Sequence, residues 1–215
     1  MKIICKTTLF APPPPPPPPI SHDTRVEIQL DKPSKVDFGT YTLAEGADNV
    51  QVDFGDGTTE RFAAGGTISH TYANSGSYVI TFSDDLQRFR VIDTKLQENP
   101  LANAIVGFTS TAQKLTEIGQ LAFINCVHLA QLDLSKVADL NYGAFTGCTA
   151  LPEKLYFPAV IELGKRNAYN VFNDCTSVRE IHFALANKSL IVETSAYLAD
   201  PEHLGAPNAT IFFDL

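Results

Sequence analysis

A mostly β protein, in which a small β-sandwich is followed by a short stacked solenoid, is the fold class this sequence predicts. The first supporting observation is a phrase that occurs three times: Ala122-Phe123-x-x-Cys126-x-x-Leu129, Ala144-Phe145-x-x-Cys148-x-x-Leu151 and Val171-Phe172-x-x-Cys175-x-x-Val178. The second is the alternation of apolar and polar residues between positions 23 and 93, broken by turn residues at short intervals. The third is a run of eight prolines near the start, which puts an extended rod ahead of both folded parts.

Residues 1–11 lean apolar through Ile3, Ile4, Leu9 and Phe10, and are read as an anchor that docks on a partner protein. The prolines from Pro12 to Pro19 take the polyproline II conformation, which rises about 3.1 Å per residue and makes a stiff spacer of roughly 25 Å. A plain linker and a ligand for a proline-reading domain are the alternative readings. Lys6-Thr7-Thr8 interrupts the apolar stretches, and the prolines stand where a signal peptide would place its apolar region and cleavage site. No secretory signal is read here. The expected organisation is anchor and spacer over 1–22, sandwich over 23–97, and solenoid with its caps over 98–215.

Three stretches alternate clearly: Val26-Glu27-Ile28-Gln29-Leu30, Val50-Gln51-Val52-Asp53-Phe54 and Tyr78-Val79-Ile80-Thr81-Phe82. A further strand is expected near Phe89-Arg90-Val91. Turn signals at Glu45-Gly46, Asp56-Gly57, Gly65-Gly66 and Asn74-Ser75-Gly76 separate them. Several short strands with turns at this density read as a β-sandwich. Asp53-Phe54-Gly55-Asp56-Gly57, followed in order by His70-Thr71-Tyr72 and Gly76-Ser77-Tyr78-Val79-Ile80, resembles the PKD domain, an immunoglobulin-like sandwich. The resemblance departs from the family at Val52, where many members carry Trp. It implies an extracellular spacer or interaction module without catalysis. Asp53 and Asp56 also suggest calcium ligands, but calcium needs roughly six to eight oxygens, and the calcium-loop spacing ending in Glu is missing.

Asn99-Pro100 marks the junction, because the residue before proline is pushed out of helix. Residues 101–115 are expected to form an irregular first rung, with Ile105-Val106-Gly107-Phe108 as its strand. The Phe123–Phe145 and Phe145–Phe172 steps are 22 and 27 residues, within the period of leucine-rich repeats. Each phrase runs into a strand-like tail: Leu132-Asp133-Leu134, Leu155-Tyr156-Phe157 and Ile181-His182-Phe183. One repeat cannot bury its apolar face alone, and stacking buries a continuous core. The joint pattern of Phe, Cys and Leu resembles the BspA-like leucine-rich repeat of bacterial surface proteins and some phage-encoded proteins. The third copy is stretched around residues 165–169, where a protruding loop is expected. Residues 194–200 read as a short helix, and 209–213 as a closing strand.

Chemistry is sparse. The formal net charge is −8, and both folded parts are acidic. Nucleic-acid binding, which needs a basic footprint, is not expected. Neither is adhesion to an anionic membrane. No run of about 18 apolar residues is present, so no membrane insertion is expected. Cys126, Cys148 and Cys175 share one repeat position and read as reduced core thiols. The cysteines lack the paired spacing of structural zinc sites, so no metal and no cofactor is expected. No nucleophile stands at recognisable spacing from a base, and no catalytic residue is assigned. His70, inside the His-Thr-Tyr motif, reads as a structural hydrogen-bonding residue.

The remaining candidate is a surface. Strand alternation turns the leucines of each tail inward and its other residues outward. That gives one outward column of Gln131, Lys154 and Glu180 and a second of Asp133, Tyr156 and His182. The bland alternative is solvated surface. The two resemblances imply the outside of a cell or particle, which a virion protein reaches without a secretory signal. The expected function is therefore a non-enzymatic displayed structural or adhesion protein on the virion surface, a capsid decoration or a head or tail fibre. It would attach to capsid or tail proteins through residues 1–19 and meet a host-surface protein or glycan. The alternative is an extracellular BspA-type adhesin of the bacterial cell surface. A homo-oligomer around one attachment point is compatible with the proline rod, and its order is open.

Overall fold

The computed structural model describes residues 23–92, 101–163, 171–194, 204–206 and 208–215. The anchor residues Ile3, Ile4, Leu9 and Phe10, the spacer from Pro12 to Pro19, and the loop expected around 165–169 lie outside the described residues. The chain is mostly β, with a solenoid-like region of about four turns.

The first half holds β1 (Asp23–Leu30), β2 (Ser34–Asp37), β3 (Tyr41–Leu43), β4 (Asn49–Asp53), β5 (Thr59–Ala63), β6 (Ser69–Tyr72), β7 (Gly76–Ser83) and β8 (Leu86–Phe89). Alternation explains their faces: Val26, Ile28 and Leu30 of β1 are buried, while Arg25 and Gln29 are exposed. The pairing Val26↔Ile80 and Ile28↔Tyr78 fixes β1 against β7, because a slip of one residue would turn the apolar set outward. Phe82 of β7 meets Phe38 at 5.3 Å and Phe89 of β8 at 4.8 Å between ring centroids, so the sheets containing β7 and β8 touch through a shared core. The β4–β5 turn depends on Gly55. Its φ is +75°, and a Cβ there would lie 2.6 Å from the Val79 carbonyl oxygen.

The second half holds α1 (Leu101–Ala104), β9 (Ile105–Ser110), β10 (Glu117–Ile118), β11 (Gln131–Asp133), β12 (Asp139–Leu140), β13 (Lys154–Phe157), β14 (Glu162–Leu163), β15 (Glu180–Phe183), α2 (Lys188–Thr194) and β16 (Thr210–Phe213). The segment 195–200, read from the sequence as part of a short helix, lies outside the described residues.

The two halves share their sheets. One sheet runs β11-β9-β1-β7-β4-β5, and another runs β14-β12-β10-β8-β3. In the first, Phe108 of β9 pairs antiparallel with Val26 and parallel with Leu132. In the second, Phe89 of β8 pairs antiparallel with Tyr41 and parallel with Ile118. The first solenoid rung is thus hydrogen-bonded to the strands that precede it in sequence on both sides. A third sheet, β13-β15-β16, is parallel throughout.

A separate set of rung-to-rung bonds follows the repeated phrase: Phe123 N–H to Ala144 O at 2.7 Å, Phe145 N–H to Val171 O at 2.8 Å and Phe172 N–H to Leu204 O at 2.8 Å. Inside, Phe145 stacks between Phe123 and Phe172, each 5.3 Å away and nearly coplanar. The residue before each repeat cysteine is left-handed: Asn125 at φ 58°, Gly147 at 75° and Asp174 at 59°. Asn, Gly and Asp are the residue types that tolerate this conformation.

Candidate functional site

The solenoid presents a ladder of aromatic rings on the outer face of β13-β15-β16. Strand register places Lys154, Glu180 and Thr210 in one cross-strand row and Tyr156, His182 and Phe212 in the next. Leu155 and Ile181, one residue away, turn into the core. Tyr156 stacks on His182 at 4.8 Å and 19°, and His182 stacks on Phe212 at 4.7 Å and 10°. Tyr156 is 52% exposed, whereas His182 is only 8% exposed between its neighbours.

A chain of alternating charges runs beside the rings. Lys154 Nζ lies 2.8 Å from Glu180 Oε2, which lies 3.1 Å from His182 Nε2. His182 Nδ1 lies 2.8 Å from Asp214 Oδ1. Burial works against a charge on His182, but the hydrogen bonds to Asp214 and Glu180 outweigh it and hold its pKa above the ordinary imidazole value. The hydrogen bonds from Lys154 and then His182 hold the Glu180 carboxyl below the usual carboxylate range. The Lys154 ammonium is raised in turn, chiefly by its bond to Glu180. With a carboxylate at each ring nitrogen, His182 fits an imidazolium that donates twice. It then has no nitrogen left to take a proton from a ligand, so this geometry suits stacking and polar recognition rather than proton transfer.

Four of the residues singled out from the sequence, Lys154, Tyr156, Glu180 and His182, meet in this one ladder. Gln131 and Asp133 are exposed on β11, which belongs to a different sheet, and Asp133 Oδ1 accepts the Ser135 N–H at 3.0 Å. Phe212 and Asp214 escaped the sequence reading. Their signal was present, since a closing strand over 209–213 puts Phe212 on the same face as Thr210.

The repeat cysteines are core groups. Cys126, Cys148 and Cys175 are buried free thiols. Cys148 Sγ donates to Phe123 O at 3.0 Å, and Cys175 Sγ donates to Phe145 O at 3.1 Å. Hydrogen bonding with Cys126, then burial, pushes the Cys148 thiol far up, and burial does the same to Cys175. His70 is half-buried at the edge of the first half's core: its Nε2 is 2.7 Å from Asp56 Oδ2, and its ring stacks on the buried Phe54 at 4.1 Å. Burial opposes the Asp56 charge, but the bonds from His70 and Thr58 prevail and lower its pKa.

Among the described residues, no group of three or more His, Cys, Asp or Glu is placed to hold a metal ion. No described helix is long and apolar enough to cross a membrane. No family model matches the chain, and no curated protein or solved structure matches it.

Proposed function

We propose that this chain is a non-enzymatic display protein that adheres to a surface glycan or protein through the β13-β15-β16 ladder. The observation that carries the reading is the stacked Tyr156–His182–Phe212 column beside the Lys154–Glu180–His182–Asp214 charge chain. An aromatic surface rimmed by charged hydrogen-bonding groups on a rigid sheet is a binding surface, because aromatic residues supply contact area at low entropic cost. The full-time engagement of both His182 nitrogens favours binding over catalysis.

The finer fold assignment belongs to the same proposal: a PKD-like immunoglobulin sandwich followed by BspA-like leucine-rich repeats. It is supported by the convergence of two motifs that are separate in sequence. Asp56 meets His70 at 2.7 Å, and the Tyr72 hydroxyl donates to Phe54 O at 2.9 Å. The proposed setting is the surface of a phage virion, with residues 1–19 attached to a capsid or tail protein. The full chain and a chain lacking residues 1–19 are sedimented with phage particles and, separately, with bacterial cells. The proposal expects only the full chain to sediment with virions, and both chains to bind cells. Binding of neither chain to particles, with equal binding to cells, would favour the cell-surface adhesin. Binding to neither target would remove the display reading.

A further inference from the structure

The ring column on the β13-β15-β16 face stops at Tyr156, and the stop leaves room for one more ring. Leu132, Leu155 and Ile181 hold the same repeat position, so Asp133, Tyr156 and His182 are equivalent residues of three successive rungs. His182 stacks on one face of Tyr156, and the rung before Tyr156 supplies a short carboxylate in place of a fourth ring. Among the described residues no ring lies against the other face of Tyr156, and its hydroxyl has no hydrogen-bond partner.

The outer sheet is interrupted at the same point. β11 pairs with β9 and β13 pairs with β15, and the two belong to different sheets. The chain entering β13 carries Pro152, which has no N–H to offer a neighbouring strand. It also has one residue more than the rung before, with four steps from Leu151 to Leu155 against three from Leu129 to Leu132. β12 and β14 of the same two rungs still pair in register, so the rungs stay neighbours while their outer strands are not joined.

Polar groups with spare capacity stand at this step. Gln131 is exposed, and its side-chain amide has no partner among the described residues. Asp133 uses Oδ1 on the Ser135 N–H and keeps Oδ2 as an acceptor. The row continues past Asp133 to Thr109 on β9 and Arg25 on β1. Cations are not in excess here. Lys154 and His182 are bridged to Glu180 and Asp214, and Arg25 is paired with Asp23. Arg179 donates to the Thr176 and Val178 carbonyls, and Lys136, in the turn after β11, is offset by Asp133 and Glu153.

A ligand that fits must bring a flat apolar face for Tyr156, hydroxyls for Asp133 and Gln131, and no net negative charge. An aromatic side chain has the face but few hydroxyls, and an acidic sugar meets no spare cation. A pyranose with equatorial substituents meets all three demands, because its axial C–H groups make an apolar face and its hydroxyls ring the edge. We propose that the step between Asp133 and Tyr156 binds one pyranose unit of an uncharged, β-linked glucan-type polysaccharide, with Tyr156 stacking on the sugar and Gln131 and Asp133 reading its hydroxyls. The row through Thr109 and Arg25 is a polar track for further units of the same chain. This names the ligand class of the ladder and rests on the display reading.

The probe is cellohexaose, titrated into the full chain by calorimetry and by amide chemical shifts, with glucose, hexagalacturonate and N-acetyltyrosinamide as comparators. Cellohexaose is expected to bind saturably, to shift the amides of Asp133 and Tyr156, and to bind at least tenfold more tightly than each comparator. Asp133→Tyr, at an exposed position, sets a ring of the protein's own against Tyr156. It is expected to keep a nearly unchanged melting temperature and to lose at least tenfold in cellohexaose affinity. Tyr156→Ala is expected to show the same loss by removing the stacking face. Absence of saturable cellohexaose binding overturns the proposal, as does undiminished binding by either folded variant. N-acetyltyrosinamide or hexagalacturonate binding as tight as cellohexaose overturns it too, the first as a surface for protein side chains and the second as an anion patch. Cell binding separates the two readings. If cellohexaose does not bind yet Tyr156→Ala abolishes cell binding, the sugar assignment alone falls; if Tyr156→Ala leaves cell binding intact, the display reading falls with it.

Discussion

Two carboxylates beside His182 favour its charged form, and this has a testable sign. Its pKa is held above the ordinary value of about 6.5, so the folded state binds the proton more tightly than the unfolded chain does. The stabilisation is complete below that ordinary value and is lost as pH rises through the higher folded-state pKa. Melting temperature is therefore expected to fall as pH rises from about 6.5 into the mildly alkaline range. His182→Phe, which keeps a ring between Tyr156 and Phe212, should remove most of that fall. A melting temperature that rises over the same range would contradict the assigned charge state. The left-handed positions make a second residue-scale prediction. Asn125→Val is expected to destabilise by roughly 1–2 kcal/mol in denaturant titration, and Asn125→Gly by much less. These positions were legible in principle, since Asn, Gly and Asp precede the three cysteines, but the repeated Phe and Cys drew the reading to the buried side chains. The charge chain was not legible, because Asp214 is 32 residues from His182 and only the closing strand brings them together.

At the scale of elements, the Phe and Cys columns hold the rungs in step. Phe145 has a ring on each face, so Phe145→Ala should cost about 3–5 kcal/mol, the range for truncating a buried Phe. The thiols of Cys126, Cys148 and Cys175 are buried, and those of Cys148 and Cys175 resist ionisation. In a Cys5→Ser background, a thiol-reactive disulfide reagent should find none of the three in the native protein and all three in denaturant. Fast native labelling would mean that the rungs open. The strands β13 and β15 were legible because their tails alternate over several residues. The two-residue strands β10, β12 and β14 were not, since a pair of residues has no period to read.

Across the whole molecule, the shared sheets make each half part of the other's edge. The domain boundary read from the sequence falls between residues 97 and 98, yet β9 and β8 carry hydrogen bonds to strands on both sides of it. Pairings of this kind join residues far apart in sequence, and local patterning cannot report them. Far-ultraviolet and tyrosine near-ultraviolet circular dichroism should accordingly follow one coincident unfolding transition, and two separated transitions would show that the halves unfold independently.

The central claim is that this ladder is what the protein presents. The measurement that tests it most directly compares the wild-type chain with Tyr156→Ala for binding to intact bacterial cells and to a panel of purified surface polysaccharides. Tyr156 is the exposed end of the ring column, and its removal spares the core. The account predicts a loss of at least tenfold in binding with an almost unchanged melting temperature. Undiminished binding by a folded Tyr156→Ala chain would contradict it.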